Sequence, residues 1–385
     1  MSEIIEQITR RFEQDEQRKP KAYTADQVPA TYEAITPQWL TAVLCGATPG
    51  AEVVAHELGP VDDGSSNRRR IRLTYNEAGQ HTGLPASVFC KAAHALLNRI
   101  MLCVSNSTRN EINFYRSVRP QLQLTAPTAY FANFDPESWA AIAVLEDYTD
   151  RATFCDERTE ADGQRVRRQL DWLAKLHGQT YKRPELFTLG FGLLTWPELW
   201  KKYQDLGNEE FCDKGFVAAA ERGLVPDRLF KRRAEVWPRT LDCVARHASL
   251  PRMITHNDVH LKNWFILNDG QMGVGDWQTL AIGHWSRDVA YCISAALTTE
   301  NRRTSEKELL GYYLQKLGER GGPTTKFDEA WLLYRQQMFT ALAFWTLTLT
   351  PSEQQPDMQP EHTTEVFLKR IATAVDDLDS LDSFR

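Results

Sequence analysis

Long apolar runs are missing from this sequence. No stretch approaches the roughly 18 residues that a membrane helix needs, so no transmembrane span is expected. Residues 1–20, MSEIIEQITRRFEQDEQRKP, are charged and lack an apolar centre, which argues against a secretory leader. An excess of positive charge is missing too. The 45 Lys and Arg fall short of the 51 Asp and Glu, for a net charge of −6, whereas a protein held to nucleic acid through phosphates is normally basic. Cysteine is sparse and unpatterned: Cys45, Cys90, Cys103, Cys155, Cys212, Cys243 and Cys292 form no CxxC pair. That disfavours structural zinc, and an odd number disfavours a secreted disulfide scaffold. The chain reads as cytoplasmic, with neither membrane nor nucleic acid as partner.

What is present is an ordinary globular composition, 42% hydrophobic and 25% charged over 385 residues, enough for two lobes with separate cores. The order of elements predicts an α+β fold. Residues 1–30 read as a polar extension, helical and then linker. Thr36 and Pro37 open a short helix over 35–44. Strands are expected over 52–58, 68–75, 85–92 and 140–148, with a long polar loop at 59–67. A helix is expected over 105–118, with Ile112, Tyr115 and Val118 on one face. Beyond residue 150 the chain turns helical, at 165–181, 226–248, 286–298, 303–318, 326–350 and 361–378. The exception is 253–278, read as loop, strand, an Asn268-Asp269-Gly270 turn and strand. The division is a strand-rich lobe over 31–143, a connector over 144–150, and a helical lobe over 151–385.

The chemistry concentrates in His256-Asn257-Asp258-Val259-His260-Leu261-Lys262-Asn263 and in Gly275-Asp276-Trp277-Gln278. An Asp and an Asn on a loop, followed by a hairpin ending in another Asp, suit phosphoryl transfer. That reaction needs a group to orient the acceptor hydroxyl and oxygen ligands for Mg²⁺. Asp258 fits the first role, and Asn263 and Asp276 fit the second. A metal site built from His256 and His260 would require a helix, which the Asn-Asp between them does not supply; His256 is read as packing, and His260 as lying near phosphates or acceptor.

These motifs resemble the catalytic loop (H-G-D-x-x-x-x-N) and metal-binding Asp of the aminoglycoside phosphotransferase-like small-molecule kinases. The Asp276-Trp277-Gln278 run resembles most the ecdysteroid kinase-like (CHK) branch. HWSRDVAY, 284–291, is similar to that group's G-x-x-x-x-D-L-A-Y element, and LAKLHG, 173–178, to its L-A-x-L-H-A helix. The resemblance implies a bilobal protein kinase-like fold with an antiparallel sheet in the smaller lobe, and ATP and Mg²⁺ as cofactors. It implies that Lys91, paired with Glu111, positions the phosphates. Gly64, Ser65, Ser66 and Asn67 would form the phosphate loop, and Val144, Leu145, Glu146 and Asp147 would receive adenine through backbone groups. Asp288 would buttress the catalytic loop, with His256 and Gln278 supporting it. Asn257 departs from the pattern, standing where the family carries Gly. Asp62 and Asp63 would oppose phosphate unless they point outward.

Ordinary turn polarity is the bland account of Asp258, Asn263 and Asp276, but three such groups inside one pattern favour catalysis. The function expected is transfer of the γ-phosphate of ATP to a hydroxyl of a small molecule, by a monomer or homodimer. Trp196, Trp200, Trp331 and Trp345 suggest a hydroxylated, lipophilic acceptor. The acidic run Asp376, Asp377, Asp379 and Asp382 is the feature that would suit an aminoglycoside instead. A catalytically silent nucleotide-binding protein is the rival of another class. A protein kinase is disfavoured, because few residues separate Gln278 from the helix near Trp285.

Overall fold

A computed structural model describes residues 2–159, 163–351 and 358–384. They form two compact units, one within 1–121 and 127–151, the other within 122–126, 152–353 and 357–385. The architecture is α+β, with antiparallel sheets and a predominance of helix in the second unit.

The first unit opens with α1 (Ser2–Arg18) and α2 (Pro37–Leu44). In α2, Thr36 accepts from the Trp39 N–H at 3.1 Å and Pro37 sits in the first turn, the capping chemistry expected there. Then come β1 (Val53–Leu58), β2 (Asp62–Asp63), β3 (Asn67–Tyr75) and β4 (Ser87–Ala93). Helices α3 (Leu96–Val104) and α4 (Ser107–Asn113) precede β5 (Ala129–Phe134) and β6 (Ala141–Glu146). The sheet runs β1-β3-β4-β6-β5, with β2 added on β3. Its apolar face packs on Trp39, Leu40, Ile71, Val88 and Val144.

Several expectations change here. The segment read as a polar extension is docked: Ile8 is buried, Asp15 pairs with the fully buried Arg99 at 3.0 Å, and Arg99 also donates to Ala30 O. The polar loop expected at 59–67 contains one short strand, β2, which pairs back on Asn67 and Arg68. The helix expected over 105–118 holds only to Asn113, and Phe114–Val118 continue as a π turn.

The second unit begins with β7 (Ala152–Phe154) and α5 (Gly163–Thr180), then α6 (Trp196–Asp205), α7 (Asn208–Glu221), α8 (Asp227–Lys231) and α9 (Arg233–Arg246). Strand β8 (Met253–Thr255) leads into the motif loop, followed by β9 (Trp264–Leu267), β10 (Met272–Val274) and β11 (Ala281–Gly283). Then come α10 (Trp285–Ala296), α11 (Thr299–Glu319), α12 (Phe327–Gln336), α13 (Phe339–Leu349) and α14 (Glu361–Asp377). β9 pairs with both β10 and β7, and β8 pairs with β11. The single helices expected over 226–248 and 326–350 are each two. The second break frees the buried Gln337 side chain, which donates to Cys243 O at 3.0 Å and bonds His247 Nε2 at 2.8 Å. Helices α3, α6 and α7 and strands β5, β7, β8 and β11 were not anticipated. Among the described residues, no helix is long and apolar enough to cross a membrane.

Candidate active site

In the second unit, β8 delivers its chain into the loop from His256 to Asn263, and one buried carboxylate grips the loop's start. Asp288, fully buried on α10, accepts the His256 N–H at 2.8 Å and the Asn257 N–H at 2.7 Å. His177 of α5 bonds the same carboxylate at 3.1 Å, and its other nitrogen meets Tyr313 Oη at 2.8 Å. Burial opposes the charge on Asp288, yet these hydrogen bonds and the neighbouring histidines hold its carboxyl below the ordinary range.

Asn257 explains its own departure from the family pattern. Its φ is +66°, in the left-handed region where Gly and Asn are the tolerated residues. Asn adds what Gly cannot: Nδ2 donates to Thr279 O at 2.9 Å and to Thr255 O at 3.2 Å. Its backbone carbonyl accepts from Arg287 Nη2 at 3.1 Å.

Asp258 follows, its side chain 25% exposed. Oδ1 accepts from the Tyr291 hydroxyl at 3.2 Å, and Oδ2 from Asn263 Nδ2, also at 3.2 Å. His260 Nε2 stands 3.6 Å from Oδ2, an ion-pair distance too long for a hydrogen bond. Burial pushes this carboxyl up, but His260, His256 and Arg287 together bring it down to about 2. Asp258 is therefore an anion at neutral pH and a weak base. His260 is buried, with its ring against Trp345 and Phe367 at 5.2 and 5.7 Å.

His256 is locked as a neutral ring: Nε2 donates to Gly275 O at 2.9 Å, Nδ1 accepts the Asp258 N–H at 3.2 Å, and burial lowers its pKa. It packs on Trp277 at 4.6 Å. Asn263 turns its amide N–H₂ to the Asp258 carbonyl (2.8 Å) and carboxylate, so its Oδ1 faces the other way. Gly275 N donates to Asn263 O at 2.8 Å, which brings Asp276 beside Asn263 at the open end of the β9–β10 hairpin. Asp276 also has a left-handed backbone, φ +58°. Gln278 is buried just beyond.

In the first unit, Lys91 Nζ on β4 pairs with Glu111 Oε1 on α4 at 2.8 Å, and both side chains are buried. The Gly64–Asn67 turn is tight, with Gly64 N bonded to Ser66 O at 3.0 Å and Asn98 Nδ2 holding the carbonyls of Gly64 and Ser65 at 2.8 Å each. Asp62 and Asp63 point outward, and Arg68 pairs with Asp62 at 3.0 Å. Asn67 differs from expectation: its Oδ1 is taken by the N–H groups of His94 and Ala95, at 2.9 and 3.1 Å, so the side chain caps the start of α3. The Ser66 hydroxyl is buried without a partner.

At the end of β6, the backbone expected to receive adenine is partly committed. Val144 and Leu145 pair with β4 and β5, and Glu146 N donates to Thr128 O at 2.8 Å. The Asp147 side chain is occupied by Ser87 (2.5 Å), Thr149 and Arg70 (2.6 Å).

A model of the phosphotransferase enzyme family matches residues 60–325, more than half the chain. The chain belongs to that family. This phosphotransferase is accordingly an enzyme of the small-molecule kinase class. No curated protein matches it by sequence. Solved structures similar to it include a choline kinase, LicA, from Streptococcus pneumoniae, at 14% identity over 85% of this chain and 94% of that one, with a TM-score of 0.47. A choline kinase from Cryptosporidium parvum is 11% identical over 85% and 90%, with a TM-score of 0.48. A macrolide 2'-phosphotransferase, MphH, from Brachybacterium faecium is 13% identical over 80% and 92%, with a TM-score of 0.43.

Two residues at the phosphotransferase's loop were not singled out from the sequence, Tyr291 and Arg287, and Trp345 was named there only as a candidate for the acceptor pocket. Tyr291 had a signal, since it closes the HWSRDVAY element. Arg287 lies in the same element, but nothing in the spacing marks its contact with Asn257, and nothing marks that of Trp345 with Tyr291.

Proposed function

We propose that this phosphotransferase moves the γ-phosphate of ATP to a hydroxyl of a small organic molecule, with Mg²⁺ as its metal. The observation that carries the reading is Asn263. Its amide N–H₂ is committed to Asp258, which turns its carbonyl oxygen away from that carboxylate, and the Gly275–Asn263 pairing sets Asp276 next to it as a second residue with hard oxygen donors. Such a pair suits Mg²⁺, which keeps most of its coordination for phosphate and water. When bound, the metal neutralises charge on the phosphate oxygens.

The chain's own residues do the rest. Lys91, held by Glu111, presents a point charge to the phosphates. The Gly64, Ser65 and Ser66 turn supports them through backbone and hydroxyl groups, and the end of β6 toward Asp147 receives the base. Asp258 orients the acceptor hydroxyl. As a carboxylate held near 2 it accepts the proton late, once the new O–P bond is forming and the bond to the ADP oxygen is breaking. His260 stands beside Asp258 and the incoming groups. Asp288, His256 and Gln278 hold the loop in shape.

The acceptor in this reading is a hydroxylated molecule with an apolar body, in keeping with the resemblance of Asp276-Trp277-Gln278 to the ecdysteroid kinase-like branch. An aminoglycoside fits less well, because the acidic C-terminal run is already neutralised. Arg228 meets Asp376 and Asp379 at 2.9 and 2.7 Å, Arg232 meets Asp382 at 2.9 Å, and Arg303 meets Asp377 at 2.7 Å. The presence of Lys91, Asp258, Asn263 and Asp276 together supports turnover over silent binding. Calorimetric titration of ATP, with and without Mg²⁺, into wild type and Asp276→Ala tests the reading. Metal-dependent binding that the variant loses supports it; binding indifferent to Mg²⁺ and to the substitution contradicts it.

A further inference from the structure

Three arginines are fully buried among the described residues: Arg99, Arg287 and Arg302. Two have carboxylate partners. Arg99 meets Asp15 at 3.0 Å, and Arg302 meets Glu306 at 2.9 Å. Arg287 has none within ion-pair distance. Its single hydrogen bond runs from Nη2 to the Asn257 carbonyl at 3.1 Å, and Nε and Nη1 have no partner.

Aromatic rings surround it instead, with the guanidinium carbon 4.6 Å from the centre of Tyr291, 5.5 Å from Trp196 and 5.8 Å from Phe344. Rings ease a cation but do not replace its counter-ion. Burial works against the charge on Arg287, and the fields of Asp288 and Asp258, neither within ion-pair distance, offset it only in part. The two acids nearest in the chain and the loop are already engaged, Asp288 by the loop N–H groups and His177, Asp258 by Tyr291 and Asn263.

Trp196 belongs to a cluster with Trp200 and Tyr203, and Phe344 and Trp237 are half-buried at its edge. The indole N–H groups of Trp196, Trp200 and Trp237 also lack acceptors. The cluster thus offers donors, apolar surface and a cation, with no carboxylate of its own. It adjoins the catalytic loop through Asn257, and Tyr203, whose hydroxyl is pushed up first by burial, also feels the negative charge of Asp258.

We propose that Arg287 is the counter-ion of the acceptor: the molecule phosphorylated at Asp258 carries a carboxylate on a flat apolar body and enters past Trp237 and Phe344. This rests on the kinase reading and narrows it. A buried unpaired cation attracts an anion and rejects an ammonium group, so cationic acceptors are excluded.

The test uses three probes of one shape: 3-(hydroxymethyl)benzoate, its amide, and 3-(hydroxymethyl)benzylamine. Each is titrated into the full chain with Mg²⁺ and ATP present, following tryptophan fluorescence. The carboxylate is expected to bind at least tenfold more tightly than the amide, with the amine weaker still. Arg287→Met is expected to erase the carboxylate preference and Arg287→Lys to restore part of it. An amine that binds as well as the carboxylate, no preference among the three, or a preference that survives Arg287→Met overturns the proposal. The wild-type series decides the matter even if the buried substitution prevents folding. ATP titrated alone separates the two readings, since failure of ATP to bind would sink the kinase assignment whatever the carboxylate does.

Discussion

The Tyr291 hydroxyl donates to Asp258 Oδ1 at 3.2 Å while accepting from the Trp345 indole N–H at 2.7 Å. The relay runs one way: burial, reinforced by the Asp258 charge, holds Tyr291 well above its ordinary pKa, so it stays a donor. A carboxylate fixed from one side by Tyr291 and from the other by Asn263 has little freedom to turn. Orientation of that kind is a large part of what phosphoryl transfer asks of a protein.

Tyr291→Phe removes one hydrogen bond to Asp258 and leaves the ring. Turnover is expected to fall about tenfold, in line with about 1–1.5 kcal/mol for the bond, while the KM for ATP stays within about twofold of wild type. Trp345→Phe acts one step further away and is expected to cost less. Steady-state kinetics with varied ATP checks both. A rise in KM for ATP at unchanged kcat would contradict the relay.

Gly178 stands where the similar helix of the family carries Ala. A Cβ there would lie 2.5 Å from Arg320 O and 2.8 Å from Arg320 Cβ. Alanine normally gains about 1 kcal/mol over glycine in a helix, but backbone cannot yield as a flexible side chain does. Gly178→Ala is expected to destabilise the second unit by about 1–3 kcal/mol, read as an earlier midpoint in urea. A later midpoint would refute the close approach.

Much of this was legible before any coordinates. Asp258, Asn263 and Asp276 lie within twenty residues of one another, so their chemistry is local and the spacing carries it. The strands flanking Lys91 and the cap at Thr36 are local too. Contacts between distant segments were not legible. Arg287 meets Asn257, and Tyr291 meets Trp345, only because α10 and α13 pack beside the loop. The helix expected over 326–350 contains no Gly or Pro to stop it at the polar run Arg335-Gln336-Gln337, and the turn at Gln337 answers to Cys243 and His247, some ninety residues earlier. Asn67 read as a phosphate-loop residue because its partners, the N–H groups of His94 and Ala95, lie on another element.

Stability is expected to fall in mild acid. Burial brings His247 down to about 4, and burial together with the Arg99 charge brings His94 down to about 3, from an ordinary value of 6.5. The folded chain keeps these rings neutral while the unfolded chain protonates them, so the unfolded state binds more protons between about 4 and 6.5. The stabilisation is complete above about 6.5 and declines by roughly 1.4 kcal/mol per pH unit for each ring as pH drops toward 4. His247→Gln should flatten this decline in the second unit, and His94→Gln in the first. Urea titrations from pH 7 to 4.5 check it; a midpoint that rises on acidification would contradict it.

The most direct test of the account is turnover in Asp258→Asn. The substitution keeps shape and removes the charge that orients and finally deprotonates the acceptor hydroxyl. With an acceptor that wild type phosphorylates, ADP formation is expected to drop by about a thousandfold or more, with Mg²⁺-dependent ATP binding retained. Turnover within a few-fold of wild type would remove Asp258 from the chemistry and the proposed mechanism with it.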